Sequence, residues 1–176
     1  VLRELFRSPE FAASAGMKVK RPVDWLYSAL RVTRADIPSD PMGTSATTLR
    51  QATKMLGQPL FERPSPDGWP DKAPVWSSSQ GLLRRWEGAG RLARNALTDA
   101  SKPDRIVVDP SALLPVPLPG TARDLITAWS ESVCQRTISA ADADAMCAAI
   151  GVAPGDAATA VTTRPERSSG VLGLLL

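Results

Sequence analysis

Twenty residues, Gly57 to Trp76, carry five prolines, two tryptophans and a phenylalanine, and they lie between two segments that read as helices. Proline fixes φ and removes a backbone donor, so neither a helix nor a central strand runs through such a stretch. A loop of this length is either functional or disordered. Disordered segments are poor in aromatic residues, whereas Phe61, Trp69 and Trp76 gain most from burial. The stretch reads as an ordered, proline-stiffened loop packed by its own side chains, and the helices must be arranged around it.

The flanking segments carry helix signals. Ser8-Pro9-Glu10 gives a capping serine, a proline at the first helical position and an acid in the first turn. Pro22 opens the next helix, where Val23, Leu26, Tyr27 and Leu30 fall on one face and Trp25 falls off it, toward a second surface. Thr44 or Ser45 is placed to cap a helix with Leu49, Ala52, Met55 and Leu56 on one side, closed by Gly57 in a left-handed position. Ser77 or Ser78 caps the longest helix, about 79–97, with Leu82, Leu83, Trp86, Ala89, Ala93 and Leu97 inward. Gly88 and Gly90 weaken that helix and are expected to admit another backbone, the loop being one candidate. Residues 99–120 read as an irregular crossing segment with at most one short strand at Ile106–Val108. Thr121 and Ser139 then cap two further helices, and a last helical segment covers about 166–176.

At 176 residues the chain suits one helical domain, 1–176, with possible subregions 1–98 and 121–176 joined by the segment 99–120. There is no histidine, which removes the commonest general base and metal ligand together. Cys134 and Cys147 each fall on the apolar side of a helix, favouring burial as free thiols over a bridge; two cysteines without histidine hold no metal. The formal charge of +3 divides into +5 over residues 1–100 and −2 over 101–176. No clustered basic stripe results, so nucleic-acid binding is disfavoured. No stretch is long enough to span a membrane. The chain opens inside an apparent helix at Val1 and closes in the apolar run Val171–Leu176. Both ends read as cuts, and a longer protein with further N-terminal sequence is expected.

Several of these segments resemble a large bacterial family catalogued as domain of unknown function 1800. The residues that carry the resemblance are Gly57-Gln58-Pro59, Phe61, Pro64-Ser65-Pro66, Gly68-Trp69-Pro70, Trp76, Leu82-Leu83 and Arg85. Upstream, Ser8-Pro9-Glu10-Phe11, Lys20-Arg21-Pro22-Val23 and Ser28-Ala29-Leu30-Arg31 fit the segment that leads into the loop. The resemblance covers most of residues 1–98 and the remainder more loosely. Lys72, where the family often has glycine, and Glu87-Gly88 depart from the pattern. The resemblance implies no particular reaction and no cofactor. It implies an exported or envelope-associated setting and a protein partner, with the absent N-terminal part as a second one, by analogy alone.

Two readings of the loop follow. Glu62, Asp67 and Asp71 are the acids clustered with aromatics, and paired carboxylates beside tryptophan are one arrangement that cleaves or binds a polysaccharide or other envelope polymer. The plainer reading makes Asp67-Gly68 a turn and pairs Glu62 with Arg63 and Asp71 with Lys72 at the surface. Phe61, Trp69, Trp76 and Arg85 are the candidate binding residues, stacking on a ligand or packing the loop onto its helices. No serine has a histidine to activate it, and no phosphate loop is present. Arg84, Arg85, Arg91 and Arg94 on one helix read as a solvated face. The expectation is an all-α, compact multi-helix array bearing a non-catalytic scaffold or protein-interaction surface. An enzyme acting through the loop acids is the alternative.

Overall fold

The computed structural model describes residues 1–176 and contains ten α-helices and one 3-10 turn. They are α1 (Leu2–Arg7), α2 (Pro9–Ala13), α3 (Pro22–Val32), α4 (Thr44–Met55), α5 (Ala73–Trp76), α6 (Ser79–Ala93), the 3-10 turn Pro110–Leu113, α7 (Ala122–Cys134), α8 (Ala140–Ala149), α9 (Thr159–Thr162) and α10 (Pro165–Leu175). The fold is all-α. No sheet forms, and the β-branched run at 106–108 contributes a single antiparallel bridge between Val107 and Asp36. No helix is long and apolar enough to cross a membrane.

Most starts follow the expected chemistry. The hydroxyls of Ser8, Ser78, Thr121 and Ser139 accept the backbone N–H groups of Phe11, Gly81, Asp124 and Asp142, satisfying donors that a helix leaves open at its first turn. The α4 start differs. Its N-cap is Gly43, and neither Thr44 nor Ser45 caps it. Instead the Asp104 carboxylate, sixty residues away, accepts the Thr44 N–H, while the Ser45 hydroxyl donates to the Asp104 carbonyl. At the other end Gly57 is left-handed (φ 86°). Its N–H bonds the Lys54 carbonyl, and that of Gln58 bonds the Thr53 carbonyl, closing α4 in a Schellman turn.

The core is one cluster of 21 buried apolar residues that runs from Leu26 to Leu175 and draws on α3, α6, α7, α8 and α10. At its centre lies α10, in contact with α6, α7, α9 and the 3-10 turn. Val171, Leu172, Gly173 and Leu175 are all buried there. The last turns of α10 are buried except at Leu174, which is 40% exposed, and burial on most sides accounts for the largely apolar closing run. Where α10 crosses α6, a Cβ at Gly173 would stand 3.3 Å from the Cα of Gly90. The backbone that Gly90 admits is therefore α10, not the proline-rich loop, while Gly88 meets the Trp25 ring.

The crossing segment is bound into the same core. Ile106 and Val108 are buried in the cluster, Asn95 holds the Val108 backbone through both its amide atoms, and the Trp129 indole donates to the Leu113 carbonyl at 2.9 Å. Trp25, the residue off its helix stripe, does meet a second surface. Its indole N–H reaches the Leu176 carbonyl at 2.9 Å, and its ring lies against Gly88. Both cysteines are free thiols, Cys147 fully buried and Cys134 half-buried. In contrast, α1 and α2 bury no residue, and Phe6 and Phe11 meet edge-to-face at 5.1 Å on the outside of the molecule.

Candidate functional site

The loop that follows α4 is ordered but shorter than its proline pattern implies, because Ala73–Trp76 turns into the single helical turn α5. Proline at the second position of that turn loses nothing, since its missing N–H would have had no helical partner. Trp76 is 7% exposed, and its indole donates to the Pro70 carbonyl at 2.8 Å. Trp69 is half-buried, with its ring centroid 6.0 Å from that of Trp76. Arg63 lies over the Trp69 ring at 5.0 Å and reaches Asp67 at 3.9 Å. Gly68 in the left-handed region makes the expected turn after Asp67.

Beneath this unit, one Arg85 guanidinium nitrogen donates to the Trp76 carbonyl at 3.1 Å. Arg85 is buried, its Nε has no partner, and burial alone pushes its pKa down. At the loop's entry, Gln58 is also buried, and its Oε1 accepts the Val23 N–H at 3.0 Å. The loop is thus fastened at two ends, to α3 through Gln58 and to α6 through Arg85. Phe61 takes no part. It is fully exposed at a left-handed φ of 61°, contrary to the burial expected of it.

The three acids stay at the surface, and each meets a different cation. Glu62 lies 3.5 Å from Lys54 on α4, and Asp67 pairs with Arg63. Asp71 lies 3.1 Å from Arg21, which also holds Asp24 at 2.9 Å. The sequence-adjacent pairs Glu62–Arg63 and Asp71–Lys72 do not form; partners up to fifty residues away replace them. Ser65 foremost, and Arg63 after it, hold the Asp67 carboxyl below the ordinary range. No three histidine, cysteine or acidic side chains converge as a metal would require. The structure therefore brings Trp69, Trp76 and Arg85 together and leaves Phe61, Glu62 and Asp71 apart from them.

The long helix α6 ends at Ala93 rather than near residue 97, and its apolar stripe is divided. Ala89, Leu92 and Ala93 are buried, whereas Leu82, Leu83 and Trp86 are 50%, 49% and 64% exposed. Leu82 and Leu83 stand four and three residues before Trp86, so the three side chains adjoin on the helix surface. This corrects the inward placement expected for them. The stripe itself is continuous in sequence, but α10 meets it at Gly90 and Ala93, and Leu82, Leu83 and Trp86 in the first two turns stay exposed.

The profile of the family described as "Protein of unknown function (DUF1800)" matches residues 1–176, so the likeness extends through the more loosely resembling residues 99–176. No curated protein and no solved structure matches the chain.

Proposed function

From the premise that the chain belongs to the DUF1800 family, we propose that it is a non-catalytic helical interaction module that docks a partner protein on the first half of α6 and the loop leading into it. The observation that carries this reading is the exposed trio Leu82, Leu83 and Trp86. An apolar patch containing tryptophan on a rigid helix is the kind of surface whose burial drives association, at roughly 25 cal/mol per Å² of apolar area. Val75 on α5 and Phe61 in the loop add exposed apolar side chains on the segment that enters α6. In this reading Trp69, Trp76 and Arg85 clasp the loop and present that surface, and the acids Glu62, Asp67 and Asp71 serve as surface ion pairs.

A photo-crosslinking residue at position 86, introduced into the protein in its own cell, tests the reading. A single partner captured there, purified and bound directly, is the expected result. Leu83→Arg should then weaken binding at least tenfold, with the thermal melting curve unchanged. The combined variant Glu62→Gln, Asp67→Asn, Asp71→Asn should bind as the parent does. Hydrolysis of an envelope polymer by the parent chain, lost in that triple variant, would overturn the proposal in favour of an enzyme. The exported or envelope-associated setting implied by the family resemblance is a separate expectation, checked by fractionating the same cells.

A further inference from the structure

A second feature of α6 lies on the side away from the apolar trio. A cavity of about 470 Å³ opens between α3, α4 and α6. That volume is within the range of small-molecule sites, which combine an apolar interior with a few placed polar groups. Leu26 and Leu56, both buried, and the half-buried Trp25, Ala52 and Leu97 form its interior. Gly88 keeps α6 low against the Trp25 ring, where a Cβ would come within 3.3 Å, and so shapes the wall between them.

The rim has a definite charge. Arg84, Glu87 and Arg91 stand one turn apart along α6 and all line the opening, giving it one net positive charge. Arg84 is oriented by a hydrogen bond from its guanidinium to the Met55 carbonyl at 3.0 Å, at the end of α4. Arg91 has no carboxylate within ion-pairing distance, and Glu87 has no cation within it. Across the opening, Thr47, Thr48 and Gln51 of α4 supply uncharged donors and acceptors. An anionic head held by Arg84 and Arg91 would meet charge-assisted donors whose two charges exceed the single opposing charge of Glu87 between them, while an unbranched apolar tail would displace water from Trp25, Leu56 and Leu97.

The geometry points to a binding site for a small amphipathic carboxylate, with the head at Arg84 and Arg91 and the tail between α3 and α4. This inference goes beyond the docking surface and stands independently of it, because it uses different residues on another side of α6.

The four methionines provide the test. Met42 and Met55 line the cavity, whereas Met17 and Met146 do not. The full chain, labelled at the methionine methyl groups, is titrated by NMR with decanoate below its micelle concentration, and in parallel with 1-decanol. Saturable shifts of the Met42 and Met55 methyls, with Met17 and Met146 unmoved, are expected, with decanoate binding at least tenfold tighter than the alcohol. The double variant Arg84→Gln, Arg91→Gln should remove that preference while retaining weak alcohol binding and unmoved Met17 and Met146 signals. Thr48→Trp, which fills the cavity, should abolish both. Shifts of all four methyls without saturation would overturn the site. Equal binding of acid and alcohol, unaffected by the arginine variants, would overturn the anionic class of its ligand.

Discussion

Arg85 is the residue in this fold whose burial is hardest to reconcile with its charge. It is 9% exposed, makes one hydrogen bond, to the Trp76 carbonyl, and has no carboxylate within 4 Å. A buried cation without a counter-ion gives back little of its desolvation cost, so an apolar replacement of similar length is tolerated well. The stem of arginine, however, fills space beneath the loop as any apolar chain would. Arg85→Met is therefore expected to leave unfolding free energy within about 1 kcal/mol of the parent. Arg85→Ala should cost about 2–3 kcal/mol through the space it leaves. Urea unfolding followed by tryptophan emission measures both. Equal losses would mean that the bond to the Trp76 carbonyl, not the packing of the stem, holds the clasp. A sequence pattern marks Arg85 as one of four helix arginines and Trp86 as an apolar stripe residue. It contains nothing that says which of the two has a neighbour overhead, and so the two exchange their expected places.

Among the elements, α4 shows how far local signals reach. Its end was readable, because Gly57 supplies a left-handed residue that other side chains adopt at a cost. Its start was not, since the cap comes from Asp104 across sixty residues and two adjacent hydroxyl residues offered themselves instead. The same limit applies to the candidate site. The starts of α3, α7 and α8 follow from Pro22, Thr121 and Ser139 as their local chemistry dictates. The pairings Asp71–Arg21 and Glu62–Lys54 depend on how α3 and α4 are set against the loop, which no local pattern encodes. Asp104 also makes a prediction for α4. The Thr44 N–H foremost holds its carboxyl below the ordinary range in the folded protein, and a carboxylate at a helix start also favours the helix dipole. A carboxyl whose folded pKa is depressed stabilises the protein fully above its unfolded value, about 3.9, and loses that contribution as pH falls through the folded value. Asp104→Asn should thus lower the urea midpoint at pH 7, and the gap to the parent should close as the pH is taken well below 4. A gap that persists unchanged into acid would mean that the carboxylate charge contributes nothing at this cap.

The whole chain poses the question of whether residues 1–98 and 121–176 are separate folding units, as the proline-rich stretch between them suggests in sequence. We infer that they are one. The first part contributes α6 and the second α10, and these two helices approach closely enough that Gly90 and Gly173 meet backbone to backbone. The Trp25 indole, from the first part, donates to the carbonyl of Leu176. Ile106 and Val108 from the intervening stretch are buried in the same apolar cluster as Leu26, Ala93, Trp129 and Leu172. Cutting between the parts would expose the apolar faces of α6 and α10 together, and neither half could replace the area it lost. A domain of this size with one shared core unfolds as a single transition. Urea unfolding of the full chain should therefore give coincident midpoints by far-ultraviolet circular dichroism and by tryptophan emission. Single-tryptophan variants retaining Trp76 or Trp129 place one reporter in each part, and both should report the same slope. Residues 1–98 and 121–176, expressed apart, should each lack a cooperative transition and regain one only when mixed. Two separated midpoints, or a half that unfolds cooperatively alone, would show that the α6–α10 contact joins finished units rather than completing a single one.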